Sequence, residues 1–368
     1  MKRTLSLILA AVLILATALT SCASGGKAVM KLGNATVDEA MYRYWMATYK
    51  ARYVSAYTDI KDSTEYWKAT ISEDSDTTNE KVLNDLIRSN IKTNLAAMAI
   101  FAEEGLTVSD SAKAEVDEYI QSMVDELADG SRKTLNADLA EFGVNINLLR
   151  NIFINEDKVA SLLEYFYGES GKNALTDADR DKFYRENYVR FAQININDAF
   201  VYEEDESGTY IQDENGTYKT RGLNAEEKAA KDKVIAEIDA LLADGGDVEA
   251  LYNDYSENTD YPNGYYFSSA TGANYVGEIV TKAFTLAEGE WTKITSDKYG
   301  TFYIKRLPLD EKGYSNADNS DFFDGFDDTL KQELFDDMLS ARFDGIEIDE
   351  ELLDAISVAD VTPNYYYY

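Results

Sequence analysis

The stretch VRFAQININDAFVY, residues 189–202, decides the fold class of this chain. Polar and apolar residues alternate along it, which is the pattern of a β-strand with one buried face. The segments before it instead repeat apolar residues at the 3.6-residue spacing of amphipathic helices. A largely helical chain that changes here to a strand-containing segment is predicted to be an α+β protein.

The segment after this strand continues the mixed pattern. It contains Gly-Thr-Tyr twice, and Asn215-Gly216 within it is a dipeptide typical of hairpins. A helix is then predicted to begin at Asn224, with Glu227 as its capping-box partner. Residues 300–307, GTFYIKRL, read as a closing strand. These signals predict a small domain of mixed helices and strands.

Helical spacing returns in the C-terminal segment. Residues 320–343 carry apolar side chains at helical intervals, and Ile346 and Ile348 predict a short strand. The four tyrosines that follow Pro363-Asn364 read as a frayed tail.

The N-terminal half is predicted to be mainly helical. It begins with a strand at 27–33 and a helix capped by Thr36 and Glu39. Residues 58–79 are polar and read as a loop, and a long helix follows at 80–104. The predicted buried stripe of that helix consists of Leu83, Leu86, Ile87, Ile91, Leu95, Met98 and Phe101.

An export signal precedes these elements. Lys2 and Arg3 are followed by the apolar run LSLILAAVLILATAL, which ends in Leu-Thr-Ser-Cys at Cys22. The run is too short for an ordinary membrane-spanning helix. We therefore predict a lipoprotein signal peptide over residues 1–21, lipid such as palmitate on Cys22, and a short tether over residues 22–26. An ordinary cleaved signal with an incidental cysteine is the alternative.

Composition excludes several kinds of chemistry. The chain has no histidine and one cysteine, so it can form neither a Ser-His-Asp or Cys-His site nor a histidine-ligated zinc site. Its 68 acidic and 35 basic residues give a net charge of −33, which disfavours nucleic acid as a partner. The acidic stretches lack the ligand spacing of a calcium loop, and neither a metal ion nor a cofactor is expected.

Residues 189–307 resemble a parvulin-type (PpiC, rotamase) peptidyl-prolyl isomerase domain. The phrases VRFAQI, LLADGGDVEALYNDYSEN, NGYYF, YVGEIVTKAFTLAEGEWTKI and YGTFYIKRL carry this resemblance, in the order and spacing of the family. Residues 27–188 resemble the N-terminal region of PrsA- and SurA-like foldases through KLGNATVDEA, KVLNDLI, GLTVSD and FYRENYVRF. The resemblance implies a helical chaperone-like domain of residues 27–188 and 308–368, completed by a C-terminal helix, with the parvulin-like domain inserted.

This sequence departs from the family at its catalytic positions. Parvulins place two histidines and a cysteine or aspartate beside an apolar pocket for proline. Here Gln193 and Phe302 stand at the two histidine positions, and Asn258 stands at the cysteine or aspartate position. These three are the degenerate catalytic residues that the resemblance implies.

The apolar pocket is replaced as well. Tyr275 and Ile279 stand where the family has methionine and phenylalanine. Phe284 keeps the aromatic residue of an Ala-Phe pair, for which a place in the core is the alternative to substrate binding. These three residues are the candidate substrate-binding residues.

Two interpretations of this site follow. In the first, Gln193 and Asn258 hydrogen-bond a peptide backbone and the isomerase remains active. In the second, the domain keeps its fold and has lost catalysis, because a buried Gln–Asn pair cannot reproduce the proton-coupled tuning of two histidines. We favour the second.

The resemblance implies a foldase or chaperone on the extracytoplasmic face of a bacterial membrane, anchored by its lipid. Its expected partners are unfolded or nascent secreted polypeptides, and its prolyl isomerase activity is expected to be weak or lost. An active isomerase with a remodelled site and a non-catalytic lipoprotein serving a dedicated partner are the alternatives. The sequence leaves the clients and the oligomeric state open, a homodimer included.

Overall fold

The computed structural model describes residues 26–57, 60–72, 74–270 and 275–368. The predicted signal peptide, the predicted lipidation site Cys22 and most of the predicted tether lie outside the described residues. The chain forms two compact units: unit 1 consists of the residues up to Ala174 and from Lys331 onward, and unit 2 consists of Leu175–Leu330. Both contain helices and strands, which confirms the predicted α+β class. Within the described ranges, no helix combines the length and apolarity needed to cross a bilayer.

Unit 1 combines a small sheet with a set of helices. Strand β1 (Ala28–Leu32) lies between β2 (Ala35–Asp38) and a strand from the C-terminal segment, Glu347–Ile348, and pairs with both in antiparallel fashion. The helices are α1 (Glu39–Ala56), α2 (Thr64–Lys68), α3 (Asn79–Glu103), α4 (Asp110–Leu127), α5 (Arg132–Leu139) and α6 (Ile146–Tyr167).

Helix α1 begins differently from the prediction. Asp38 caps it, and its carboxylate accepts a hydrogen bond from the backbone N–H of Met41 at 2.9 Å. The predicted cap, Thr36, lies in β2 opposite Lys31. The capping-box interpretation of Thr36 and Glu39 is therefore wrong, because the backbone of Thr36 takes part in strand pairing.

The buried face of α3 follows the four-residue spacing of Leu83, Ile87, Ile91 and Leu95, as predicted. Leu86 is exposed, contrary to the prediction, because that spacing leaves it on the flank of the helix. Met98 is partly buried against the same core and Phe101 is buried.

The predicted loop at 58–79 contains the short helix α2. Its Trp67 is buried, and the indole N–H donates to Asp62 Oδ1 at 2.6 Å. The ammonium group of Lys50, which is also buried, lies 2.9 Å from the same oxygen and donates to the carbonyl of Val361 at 2.7 Å. This network packs part of the polar segment against the core, which the polarity of the sequence did not predict.

The C-terminal tail is not frayed. Asn364 is fully buried, and its side chain donates to Thr48 Oγ1 at 3.1 Å while accepting from the backbone N–H of Tyr367 at 2.9 Å. The hydroxyl of Tyr44 donates to the carbonyl of Tyr367 at 2.6 Å. The last residues are therefore held by specific hydrogen bonds to unit 1, and the tail prediction is wrong.

Unit 2 is built on a four-stranded antiparallel sheet. Its strands are β3 (Tyr188–Ile196), β6 (Tyr265–Ser268), β7 (Trp291–Ser296) and β8 (Gly300–Leu307), in the order β6-β3-β8-β7. The remaining elements in chain order are α7 (Asp177–Asn187), β4 (Val201–Tyr202), β5 (Thr220–Arg221), α8 (Ala225–Ala243), α9 (Val248–Tyr255) and α10 (Gly277–Thr285). The capping box at Asn224 and Glu227 is confirmed.

The two faces of this sheet are covered by different elements. On one face, Ile194 of β3 and Tyr303 of β8 pack with residues of α8 and α9, among them Ile238 and Val248. Because side chains alternate along a strand, the opposite face carries Gln193 and its neighbours. Helix α10 lies over this second face, since the Arg306 guanidinium donates to the carbonyl of Ala283 at 3.0 Å.

Unit 2 extends beyond residues 189–307 on both sides. Phe183 of α7 contacts Tyr188 and Phe326 with ring centroids 6.2 and 5.2 Å apart, and Tyr184 contacts Phe323 at 5.7 Å. The chain passes back into unit 1 within α11 (Phe326–Ser340). The predicted assignment of domains stays a prediction.

Candidate functional site

The candidate site lies on the sheet face that α10 covers. Gln193, at the centre of β3, is 2% exposed and stands opposite Ile304 of β8. Phe302, two residues before Ile304, points to the same side of the sheet and is also buried. An amide side chain is thus held in apolar surroundings, where it needs a hydrogen-bonding partner.

Tyr275 provides that partner. Gln193 Nε2 donates to the Tyr275 hydroxyl at 2.8 Å, and the same hydroxyl lies 3.1 Å from Gln193 Oε1, to which it can donate. Burial raises the pKa of the Tyr275 hydroxyl above its ordinary value of 10.0, so it stays protonated at neutral pH. The centre of the site is therefore an uncharged amide–hydroxyl pair.

Aromatic rings surround this pair. The ring of Tyr275 stacks on Phe267 of β6 with a centroid distance of 4.8 Å and lies 5.7 Å from Tyr265. Phe322 meets Phe267 edge to face at 5.6 Å. The Tyr265 hydroxyl is buried and has no hydrogen-bond partner among the residues that the structure describes. We call Gln193, Tyr265, Phe267, Tyr275 and Phe322 the aromatic cage.

The two other candidate substrate-binding residues lie in different places. Ile279 of α10 is fully buried, on the helix that covers this sheet face. Phe284, in the last turn of α10, is 39% exposed, whereas its neighbour Ala283 is buried. The core interpretation of Phe284 is therefore wrong, because the helix turns that side chain outward and places the small Ala283 against the sheet.

Asn258 does not pair with Gln193. It is exposed, and its Oδ1 accepts from the backbone N–H of Asp260 at 3.0 Å. The preceding residues continue the edge of β3, since the N–H of Glu257 donates to the carbonyl of Asn195 at 2.9 Å. The chain then turns, and Asn258 stabilises that turn. The expectation of a buried Gln–Asn pair is wrong, because Gln193 is hydrogen-bonded to Tyr275 instead.

Sequence reasoning missed part of the cage. Tyr265 and Phe267 alternate in NGYYF, and this spacing was a sufficient signal that both lie on one face of β6. Phe322 lies outside the range that resembles a parvulin, and nothing local in the sequence links it to Gln193.

The cage contains groups that suit a peptide segment. An amide can donate to a peptide carbonyl and accept from a peptide N–H, and aromatic rings offer surface to apolar side chains. The described groups that meet at Gln193 carry no charge near neutral pH, so proton transfer is not a natural use of this site. Because Gln193 is almost inaccessible, a ligand that reaches its amide must displace or share the Tyr275 hydroxyl.

Comparisons with known proteins give structural neighbours only. No family model matches the chain, and no curated protein matches it. The chain is similar to the solved structure of PrsA from Bacillus subtilis, with 14% identity over 78% of this chain and 88% of that chain, at a TM-score of 0.24. It is also similar to PrsA, named as a peptidylprolyl isomerase, from Bacillus anthracis, with 18% identity over 71% and 96% of the two chains, at a TM-score of 0.26.

A third neighbour comes from Campylobacter jejuni. It belongs to a study of PEB4 and Cj1289, described as SurA-like chaperones, and shares 11% identity over 88% of this chain and 99% of that chain, at a TM-score of 0.25. TM-scores this low do not establish a shared fold or activity.

Proposed function

We propose that this chain is a foldase-type chaperone that binds unfolded secreted polypeptides outside the cytoplasm, with weak or lost prolyl isomerase activity. The observation that carries the proposal is the Gln193–Tyr275 hydrogen bond inside the aromatic cage. It combines a backbone-recognising amide with apolar surface, and it contains no ionised group that would select one charged substrate.

The groups of the cage suit promiscuous capture of extended segments once a client displaces or shares the Tyr275 hydroxyl at Gln193. A client backbone has the same donors and acceptors in every sequence, so one amide can serve many clients. Phe284 adds exposed aromatic surface on α10, the helix that covers the same sheet face. Large, rigid aromatic side chains of this kind contribute strongly to binding at interfaces.

Weak catalysis follows from the same arrangement. Prolyl rotation has a barrier of roughly 18–20 kcal/mol, and a catalyst must bind the twisted amide more tightly than either planar form. At the two histidine positions of the family, Gln193 is tied to Tyr275 and Phe302 is buried without any polar atom in its side chain. Neither is arranged to stabilise a twisted amide selectively.

The location is part of the proposal. The N-terminal sequence, with its apolar run and Cys22, supports export and lipid anchoring on the outer face of the cell membrane. We further propose that unit 1 and unit 2 correspond to the chaperone-like and parvulin-like domains, respectively.

An active isomerase with a remodelled site is the second candidate. The observation that favours it is the polar Gln193 side chain kept at a buried position, beside the apolar side chains of Phe302 and Ile304. Rotation about the prolyl bond requires no proton transfer, so an amide could position the substrate. In that case Gln193→Leu abolishes turnover, and substoichiometric protein accelerates a proline-limited refolding reaction.

Site-specific photo-crosslinking tests the proposed binding site. A photoreactive phenylalanine analogue replaces Phe284 in residues 23–368, and the protein is irradiated with a permanently unfolded client. The matched control places the analogue at Tyr299, which is also 39% exposed and belongs to the same unit. We expect adducts from position 284 that exceed those from position 299 severalfold. Equal yields from the two positions would contradict client binding at the exposed aromatic surface of α10.

A further inference from the structure

A repeated turn builds a separate surface between β4 and β5. The sequences EEDESGTY at 203–210 and IQDENGTY at 211–218 form two turns of the same design. In the first, Asp205 Oδ1 accepts from the backbone N–H groups of Ser207 and Thr209 at 2.8 and 3.0 Å. In the second, Asp213 Oδ1 accepts the equivalent two hydrogen bonds at 2.8 and 2.9 Å.

A closed ring of backbone hydrogen bonds joins three stretches of this segment, at residues 203, 211 and 219. The N–H of Glu203 donates to the carbonyl of Lys219, that of Lys219 to Ile211, and that of Ile211 to Glu203, at 2.9, 2.8 and 2.9 Å. Each of these residues directly follows a tyrosine. The ring therefore fixes the backbone positions of three tyrosines.

These tyrosines, Tyr202, Tyr210 and Tyr218, form what we call the tyrosine triad. Their ring centroids lie 5.3, 5.9 and 6.0 Å apart. Their exposed fractions are nevertheless 44%, 51% and 50%. Phe200 supports the triad from one side, 5.4 Å from the ring of Tyr202. Hydrogen-bonded turns thus hold three aromatic rings half in water, and none of these residues belongs to the aromatic cage.

The charge around the triad is strongly one-sided. Between residues 203 and 219 the chain has six carboxylates and one basic residue, Lys219, which directly follows Tyr218. The nearby guanidinium of Arg221 is paired with Glu227 at 2.8 Å. The faces of aromatic rings attract cations, and carboxylates close to them add to that attraction.

We propose that the tyrosine triad binds extended polypeptide segments that carry lysine or arginine. The cationic groups lie over the tyrosine rings, with Glu204, Glu206 and Glu214 providing the opposite charge. This surface is distinct from the aromatic cage, and the inference does not depend on the proposed function.

Fluorescence anisotropy with a labelled peptide of alternating lysine and glycine tests this inference on residues 23–368. The triple variant Y202L/Y210L/Y218L keeps apolar side chains in contact but removes the aromatic faces. We expect it to bind at least about tenfold more weakly than the unaltered protein, because three cation–π contacts are lost. Hydrogen exchange across residues 201–221 checks that the variant keeps its turns.

A charge variant tests the carboxylates without altering the scaffold. E204Q/E206Q/E214Q should weaken binding severalfold at low salt, and less at about 0.3 M salt because of screening. The matched control E115Q/E118Q/E126Q removes the same charge from exposed positions of α4 and should stay within about twofold of the unaltered protein.

Several outcomes would overturn the proposal. Unchanged affinity in the leucine variant, with its turns intact, would show that the rings do not bind the peptide. Equal losses in the two charge variants would assign binding to net charge alone. If a serine–glycine peptide or a neutral oligosaccharide bound the triad as tightly as the lysine peptide, the cationic occupant would be wrong.

Discussion

The hydrogen bond between Gln193 and Tyr275 should be measurable as a coupling energy. Tyr275→Phe removes the hydroxyl and leaves the Gln193 amide, which is 2% exposed, without its partner. A buried unpaired polar group costs about 1–3 kcal/mol, so the variant should destabilise unit 2 by that amount. Gln193→Leu should cost less, because the group that it leaves without its partner belongs to Tyr275, which is less buried than Gln193.

The double variant removes both polar groups. Its cost should be lower than the sum of the two single costs by at least about 1 kcal/mol, since neither member of the Gln193–Tyr275 pair is left without its partner. Native-state hydrogen exchange of peptides that cover 188–196 measures the opening free energy of β3 within the whole protein. Costs that add to within about 0.3 kcal/mol would refute the coupling.

Tyr265→Phe is the matched control from the same cage. It also deletes one tyrosine hydroxyl, but this hydroxyl is buried without a partner in the described part of the chain. The variant should therefore be neutral or more stable, by up to about 1 kcal/mol. A loss of stability as large as that of Tyr275→Phe would show that the cost of deleting a hydroxyl here does not depend on its hydrogen bond.

Three further predictions concern stability. Burial and the neighbouring Asp310 raise the pKa of Tyr266 to about 12. The stability that Tyr266 contributes is therefore present below pH 10 and is lost as pH rises toward 12. In denaturant unfolding at pH 11, Tyr266→Phe should lose about 1.4 kcal/mol less of its free energy of unfolding than the unaltered protein does. Asn364→Ala should destabilise unit 1 by about 2–4 kcal/mol, because Tyr367 and the buried tail lose their hydrogen bonds, and an unchanged denaturation midpoint would contradict this. Gly264→Ala should lower the thermal midpoint of unit 2, because the φ angle of Gly264 is +96° and an added Cβ would lie 3.0 Å from a β3 carbonyl oxygen. An equal or higher midpoint would contradict this.

Local signals predicted the fold best where the partner of a residue lies a few positions away. The capping box of Asn224 and Glu227 is confirmed, because both groups belong to one helical turn. The same pattern failed at Thr36, whose backbone pairs with a neighbouring strand. Sequence spacing does not show such a competition between capping and pairing.

The tail and the cage depended on distant partners. Asn364 is hydrogen-bonded to Thr48 and to the backbone of the turn that follows it. Phe322 contacts Phe267 but lies outside residues 189–307, the range that resembles a parvulin. For the site, Gln193 is buried in β3, but its partner is Tyr275 and not Asn258, because Asn258 lies in an exposed turn. Which side chain meets a buried amide is decided by packing.

One refolding experiment tests the central claim most directly. A disulfide-free client that is limited by a prolyl bond and prone to aggregate is refolded with increasing amounts of residues 23–368, and both the yield and the slow rate constant are recorded. We predict that the yield rises as the protein approaches stoichiometric amounts, while the rate constant stays close to its uncatalysed value. A faster rate at substoichiometric amounts would establish an isomerase, and an unchanged yield would contradict the chaperone function.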